Sequence, residues 1–505
     1  MSNPFELIDL ASENFGGSVI YANDDFFAEK ENLVKASAPI FIDGKYTDRG
    51  KWMDGWESRR RRVPGHDFSL VRLGLPGIVR AVNVDTSHFK GNFPQACRIE
   101  GCNMEGHPTV DELMGESVHW VELLPRTDLK GDTHNLFNVK SHERVTHLRF
   151  HIFPDGGVAR LRVHGEVFPH LRWAGKPEAT VDLAAAENGA LVIGANDMFF
   201  GSRNNLIRPG RSVNMGDGWE TKRSRKEAPD YCIVRLASEG KLERVELDTN
   251  HFKGNFPESA EIHGIVAPHD ASFETLAAAT KGWEPVLARV PLQAHTRHYY
   301  EEELLGHGPF THLRLRIYPD GGISRLRVHG HVTEKGRSDF GLAYLNALPK
   351  DRARAAFETT LASPVFADEM IEQRPFKNIG ELARAAKKAS EKLQRKDWLK
   401  AFAAHPRIGE KPAGKGTHSK WAGGEQAKVS DANDATKQAL AKVNRAYEKK
   451  FGHVYLVFAS GRTGEELLAI AKERINNSAR AEFERAKEEQ LKITDLRLKK
   501  LVGGV

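Results

Sequence analysis

The stretch DTNHFKGNFP at Asp248–Pro257 occurs once before, with one change, as DTSHFKGNFP at Asp85–Pro94. A ten-residue duplication of this quality marks a tandem repeat, and further blocks extend it. NDDFF (Asn23–Phe27) returns as NDMFF (Asn196–Phe200), and DGWESRR (Asp54–Arg60) as DGWETKR (Asp217–Arg223). THLRFHIFPDGG (Thr146–Gly157) returns as THLRLRIYPDGG (Thr311–Gly322). The spacings of 173, 163, 163 and 165 residues make the copies nearly collinear. The retained blocks are polar, aromatic and glycine-rich. A core alone would preserve mainly an apolar pattern, so these blocks point to a site.

Each copy reads as β structure. Apolar residues alternate with polar ones at Leu148, Phe150 and Ile152, and apolar Val158, Leu161 and Val163 follow beyond Pro154-Asp155-Gly156-Gly157. Glycine accepts the positive φ of a tight turn, so a hairpin is expected there and again at Pro319–Gly322. About 165 residues of short strands suit a β-sandwich or jelly roll. After Leu348-Pro349 the composition shifts. Arg352–Leu361, Ile379–Leu393, Ala432–Lys450, Glu465–Ile475 and Ala479–Leu501 carry apolar residues at three- and four-residue spacing, with Asn378 and Asp431 as expected N-caps. The expected architecture is two tandem all-β domains, residues 1–175 and 176–340, followed by an all-α domain, residues 345–505.

At 505 residues, 28% charged and 40% hydrophobic, the chain has ordinary globular composition. No apolar run approaches the ~20 residues that span a bilayer, and the N-terminus lacks a secretory pattern. Three cysteines, unshared between the copies, argue against a disulfide framework. The closing Val502-Gly503-Gly504-Val505 is no peroxisomal address, so the cytoplasm is the expected compartment. Lysines and arginines outnumber acids 31 to 21 after residue 350, and are outnumbered 43 to 47 before it. The basic excess is mixed with acids at helical spacing and lacks interleaved aromatics. It reads as a solvated helical surface rather than a nucleic-acid footprint.

Acid, imidazole, ammonium and amide fall within eight residues in each decapeptide, on a glycine-containing loop that follows a strand. That is a common construction for a polar small-molecule site. The alternative is a β-sandwich corner whose Asp and Asn close turns. Asp54-Gly55-Trp56-Glu57 with Arg59 has the same two readings: an arginine fork that binds a carboxylate, or a solvated run. The candidates are Asp54, Glu57, Arg59, Asp85, His88 and Asn92 in the first copy, and Asp217, Glu220, Asp248, His251 and Asn255 in the second.

As an ordered, duplicated set over residues 11–335, these motifs resemble allantoicase. The resemblance implies two jelly-roll domains and hydrolysis of allantoate to ureidoglycolate and urea. No close histidine pair of the H-E-x-x-H kind is present; the resemblance implies no cofactor and leaves a divalent ion open. In the helical part, Phe376–Leu382, HPRIG at His405–Gly409, Glu425-Gln426, Tyr455–Arg462 and Glu489–Arg497 resemble the decarboxylase of 2-oxo-4-hydroxy-4-carboxy-5-ureidoimidazoline (OHCU). This second resemblance covers about 345–502. It implies a cofactor-free domain forming (S)-allantoin, with His405 and Glu425 as catalytic residues. The substrate would be bound by Pro406, Ala422, Gly423, Gly424, Gln426, Tyr455, Leu456, Val457, Phe458, Ala459 and Arg462. Many relatives carry serine where Ala422 stands. Arg474 and Arg497 are alternatives to Arg462 for the departing carboxylate. Small ureide substrates and a homo-oligomer are expected, with no metal, nucleic acid or membrane as partner. The rival reading is a pair of sandwich domains that bind a sugar or ureide without turnover.

Overall fold

The computed structural model describes residues 3–170, 176–224, 228–408, 421 and 434–503. Its contacts divide the chain into two compact units, Met1–Gly336 and Arg337–Val505.

The first unit contains the two β repeats, built to one plan. In the first, strands run in the order Ile8–Asp9, Arg160–Val167, Asp67–Asp85, Arg144–Phe153, Ala96–Cys102 and Val121–Asp128. Ser18–Ala22 and His134–Asn138 also pair with Asp67–Asp85. The second repeats this order as Thr180–Asp182, Arg325–Val332, Asp230–Asp248, Phe310–Tyr318, Ser259–Ile265 and Glu284–Pro291. All these pairings are antiparallel.

One strand organises each copy. Asp67–Asp85 and Asp230–Asp248 are both 19 residues long, far beyond the usual five or six. The front half of Asp67–Asp85 pairs with Arg144–Phe153, with Ile152 opposite Asp67 and His147 opposite Arg72. Its rear half pairs with Arg160–Val167, with Arg160 opposite Asp85. The strand thus passes from one leaf of the sandwich to the other.

This corrects the expected hairpin. Arg144–Phe153 and Arg160–Val167 flank the Pro154–Gly157 turn but do not pair with each other. Between them Gly157-Val158 forms a two-residue ladder with Trp56-Glu57. Gly156 does adopt the positive φ, 136°, that its sequence context called for. The connection bridges two leaves because each flank finds its partner on the long strand. The expected alternation is also too simple. Leu148, Phe150 and Ile152 lie in the main core, yet His147 and His151 on the opposite face are buried as well. A second apolar layer around Leu70, Leu113 and Trp120 lies on that side.

The second unit is helical: Glu334–Ala347, whose first three residues fall in the first unit, is followed among the described residues by Lys350–Thr360, Pro364–Glu372, Ile379–Glu391, Arg395–Ala403, Asp434–Phe451, Gly464–Arg474 and Ala479–Leu501. Asn378 caps its helix through the Glu381 amide at 2.9 Å; Asp431 lies outside the described residues. Phe357, Phe366, Trp398, Phe402 and Leu498 share one core, and Leu440, Tyr447, Tyr455 and Leu467 a smaller one. Three of these helices were not anticipated: Glu334–Ala347, Pro364–Glu372 and Arg395–Ala403. Pro364–Glu372 begins with proline in its first turn, where the missing N–H costs nothing, and Arg395–Ala403 is a short charged segment. Helix Glu334–Ala347 starts before the composition change near 345, and Leu342 and Leu345 already lie in the helical core. Gly341 is needed there, since a Cβ would fall 2.2 Å from the Val502 carbonyl oxygen.

A fragment cut at 334 keeps these leucines, whereas one cut at 345 loses Leu342. Burial of one leucine contributes about 1.5–3 kcal/mol. Residues 334–505 should therefore unfold at higher urea than residues 345–505, and residues 1–333 should fold alone. Equal midpoints for the two helical fragments would count against this placement of the helix.

Candidate active sites

The duplicated motifs meet at one end of each repeat. Phe89 of the decapeptide is fully buried. It lies under Gly55 and Gly157, where a Cβ would come within 2.8 and 2.0 Å of its ring. Phe252 fills the same space beneath Gly218 and Gly322. DGWE, the decapeptide loop and the glycine turn are therefore one packed layer, and glycine is required wherever the phenylalanine ring approaches.

Asp54 is buried within this layer. Its carboxylate receives Arg160 Nη2 at 2.8 Å and the Ile40 amide at 3.0 Å, and Arg160 Nη1 donates to the Asp54 carbonyl at 3.0 Å. Burial opposes ionisation here, but the Arg160 hydrogen bond and charge hold the Asp54 carboxyl below its ordinary range. In the second copy Asp217 receives Arg325 at 3.0 Å, Arg208 and the Val213 amide. Arg160 and Arg325 escaped the sequence reading. The signal available was an arginine three positions after the second turn glycine, retained in both copies.

His88 and His251 sit in left-handed backbone, φ 70° and 68°, a conformation that costs a non-glycine residue about 1–2 kcal/mol. Their amides are held by Asp132 Oδ1 at 2.7 Å and His295 Nδ1 at 2.8 Å. His88 Nε2 lies 3.3 Å from the Pro39 carbonyl and His251 Nε2 3.0 Å from that of Ser212. A carbonyl only accepts, so Nε2 carries the proton and Nδ1 is left as the basic nitrogen. The loop through Pro39 and Ile40 is thus gripped by Asp54 and His88 together. Phe41 stacks on the His88 ring at 5.8 Å.

The remaining candidates fall into two kinds. Asp85 binds the Ser87 amide and hydroxyl at 2.9 and 2.6 Å, and Asp248 the Asn250 amide at 2.9 Å. These carboxylates close the turns before the histidines. Asn92 donates to Glu57 at 2.7 Å and Asn255 to Glu220 at 2.5 Å. Burial raises the Glu57 carboxyl above its ordinary range, and the Asn92 bond only partly offsets it. Arg59 is tied to Asp24 at 2.7 Å rather than held free as an anion clamp, and Lys222 takes its place beside Asp197. Cys97 and Cys102 are buried, and burial pushes both thiols up to about 12. Among the described residues no three His, Cys, Asp or Glu side chains are grouped to hold a metal ion.

In the helical unit, His405 and Pro406 face an extended apolar segment. With Ile408, Tyr455–Ser460 and Ile493 they line a cleft. The described lining encloses about 20 Å³. The His405 amide binds the Phe402 carbonyl at 3.1 Å, which places the residue just after helix Arg395–Ala403. Glu489 accepts the Phe458 amide at 2.7 Å and fixes the opposite wall. Arg474 does not suit a carboxylate clamp: it is buried against Glu482, with Nε at 2.9 Å, and donates to the Leu456 carbonyl at 2.9 Å. Arg497 is wholly buried. Arg462 is partly exposed at the turn that follows Ala459. Ala422, Gly423, Gly424, Glu425 and Gln426 lie outside the described residues.

The allantoicase repeat family matches residues 8–168 and again 181–333, and the OHCU decarboxylase family matches 346–499. The chain belongs to the allantoicase family. Its last third is an OHCU decarboxylase domain. A probable allantoicase 1 of Burkholderia mallei is 46% identical over 327 residues, or 64% of this chain and 94% of that protein. The crystal structure of allantoicase from Saccharomyces cerevisiae is 31% identical, with a TM-score of 0.55 over 65% of this chain and 93% of that one. An OHCU decarboxylase crystallised in the presence of (S)-allantoin is 35% identical, with a TM-score of 0.26 over 29% of this chain and 96% of its own. Membership in two enzyme families replaces the rival reading of a pure binding protein. No described helix is long and apolar enough to cross a membrane.

The Asp54–Arg160 pair has a direct stability consequence. Removing one partner of a buried ion pair leaves an uncompensated charge and costs about 3–5 kcal/mol. Arg160→Ala should lower the denaturation free energy of the first unit by that amount, whereas Arg59→Ala, at an exposed pair, should change it by under about 1 kcal/mol. Comparable losses for both in urea melts would contradict this ranking.

Proposed function

We propose that the two units catalyse two separate steps of ureide breakdown: allantoate hydrolysis at the motif layers of the β repeats, and OHCU decarboxylation at the His405 cleft. The observation that carries the first assignment is the strained histidine held in both copies with Nδ1 free of the carbonyl bond. Hydrolysis replaces one C–N bond of allantoate by C–OH and releases urea. His88 or His251 takes the proton of the attacking water on Nδ1. The Glu57 carboxyl, its ionisation opposed by burial, protonates the departing urea nitrogen; Glu220 is its counterpart. Asp54, Asp85, Asn92 and their counterparts Asp217, Asp248 and Asn255 position these groups. The reading includes a homo-oligomer in the cytoplasm.

In the helical unit the C–C bond to the carboxylate breaks and its electron pair moves into the adjacent C=N. The carbon is then protonated on one face by His405. Arg462 binds the departing carboxylate, Glu425 orients the imidazole or the substrate hydroxyl, and Val457 and Phe458 exclude water. Ala422 offers no hydroxyl where many relatives carry serine.

His88→Ala or His251→Ala should reduce urea release from allantoate. Independent sites lose about half the rate with either change, while one shared site loses nearly all. Full activity in the double variant would assign both histidines to structure.

His405→Ala should abolish stereospecific decarboxylation, a loss of about 10²–10⁴-fold for a positioned acid, while urea release survives. Because the substrate also decarboxylates unaided, the product's stereochemistry is the cleaner readout. Wild type should give one allantoin enantiomer and the variant a racemate. A single enantiomer formed at wild-type rate by the variant removes His405 from the mechanism.

A further inference from the structure

Thr146-His147 and Thr311-His312 are retained in both copies and take no part in the reactions above. They lie on Arg144–Phe153 and Phe310–Tyr318, at the far end from the glycine turns. Six residues of strand separate His147 from Phe153, or about 20 Å. His147 stands directly opposite Arg72, and His312 opposite Arg235. Beside each pair the ladder breaks, between Val145 and His147 in one copy and between Arg235 and Gly240 in the other. Such irregularities re-aim side chains and concentrate beside binding sites.

The proton positions follow from the partners. Thr146 Oγ1 accepts the Met104 amide at 2.8 Å and lies 3.0 Å from the Met104 carbonyl. With its one proton on the Met104 or Cys102 carbonyl, 3.0 and 3.2 Å away, the hydroxyl takes its second hydrogen bond from His147 Nδ1 at 2.9 Å. Nε2 is therefore a bare acceptor. It is buried and finds no partner among the described residues. The second copy repeats each step: Thr311 Oγ1 accepts the Ala267 amide at 2.8 Å, lies 3.1 Å from the Ala267 carbonyl and meets His312 Nδ1 at 2.9 Å. His312 Nε2 is likewise buried and unpartnered.

An unmet buried acceptor costs about 1–3 kcal/mol, and both copies retain it. Around His147 there is a cleft of about 270 Å³, lined also by Arg72, Glu105, His107 and Gly74. Arg72 Nη1 lies 3.4 Å from His107 Nδ1. Arg235 Nε has no partner among the described residues. Burial, then the facing arginine, pushes His147 and His312 down to about 4. At neutral pH these rings are uncharged, and each arginine is the local cation.

We propose that each repeat binds a ureido-carboxylate at this second site, with Arg72 or Arg235 taking the carboxylate and Nε2 of His147 or His312 accepting a ureido N–H. A neutral acceptor beside a guanidinium matches an anion whose N–H lies one carbon from its carboxylate. Allantoate and ureidoglycolate both have that pattern, so the choice of ligand class rests on the ureide reading. The site itself rests on geometry.

The test is calorimetric titration of the full chain with N-carbamoylglycine, which has one carboxylate and one ureido group. Wild type should bind it. His147→Asn/His312→Asn keeps an N–H for the threonine but deletes Nε2, and should weaken binding about tenfold, as for one net hydrogen bond. Acetate, lacking the N–H, should bind both forms alike. Arg72→Lys/Arg235→Lys should also weaken N-carbamoylglycine, and it decides the matter if the asparagine pair does not fold. No binding to wild type, or unchanged affinity in a folded His or Arg pair, overturns the site. Urea release from allantoate, measured separately, tests the hydrolase reading, so the two can fail independently.

Discussion

The buried ion pair between Arg160 and Asp54, repeated as Arg325 and Asp217, underlies the motif end of each repeat. Each guanidinium is almost wholly removed from water and spends its donors on one aspartate and several backbone carbonyls. A buried pair of this kind adds little net stability against an apolar substitute, but breaking it is costly. What it secures here is geometry. Asp54 carries the Ile40 amide, and the adjoining Pro39 carbonyl orients His88, so the histidine's free nitrogen is set by an arginine on another strand.

The phenylalanine beneath this layer supplies the complementary constraint. Phe89 and Phe252 occupy space that only glycine can leave open at Gly55, Gly157, Gly218 and Gly322. Polar motif residues and the small residues around them are thus retained for one joint reason. Most of the polar candidates prove to be engaged with each other: Asp85 closes a turn, Asn92 holds Glu57 and Arg59 holds Asp24. The two readings of the motifs, site or corner, describe different residues of one layer.

The helical unit has a different economy. The described lining of its cleft sets buried Tyr455, Leu456 and Val457 beside His405. The product of this unit is a ring, whereas the β unit consumes the ring-opened acid. A separate hydrolase must act between them, so the fusion couples their supply more than their chemistry.

The tandem repeat, the β and α classes and the motif residues were legible in the amino-acid order, because duplication, periodicity and turn chemistry are local properties. The helix Ala479–Leu501 was read to the residue for that reason. Strand partnership was not. Pro154–Gly157 carries every local mark of a hairpin, yet its flanks take opposite halves of Asp67–Asp85, a choice made by packing two leaves together. Arg160, and the bare nitrogens of His147 and His312, were equally hidden. Their roles depend on partners up to 123 residues away, and a side chain's burial and hydrogen-bond account exist only once those distant segments are brought together.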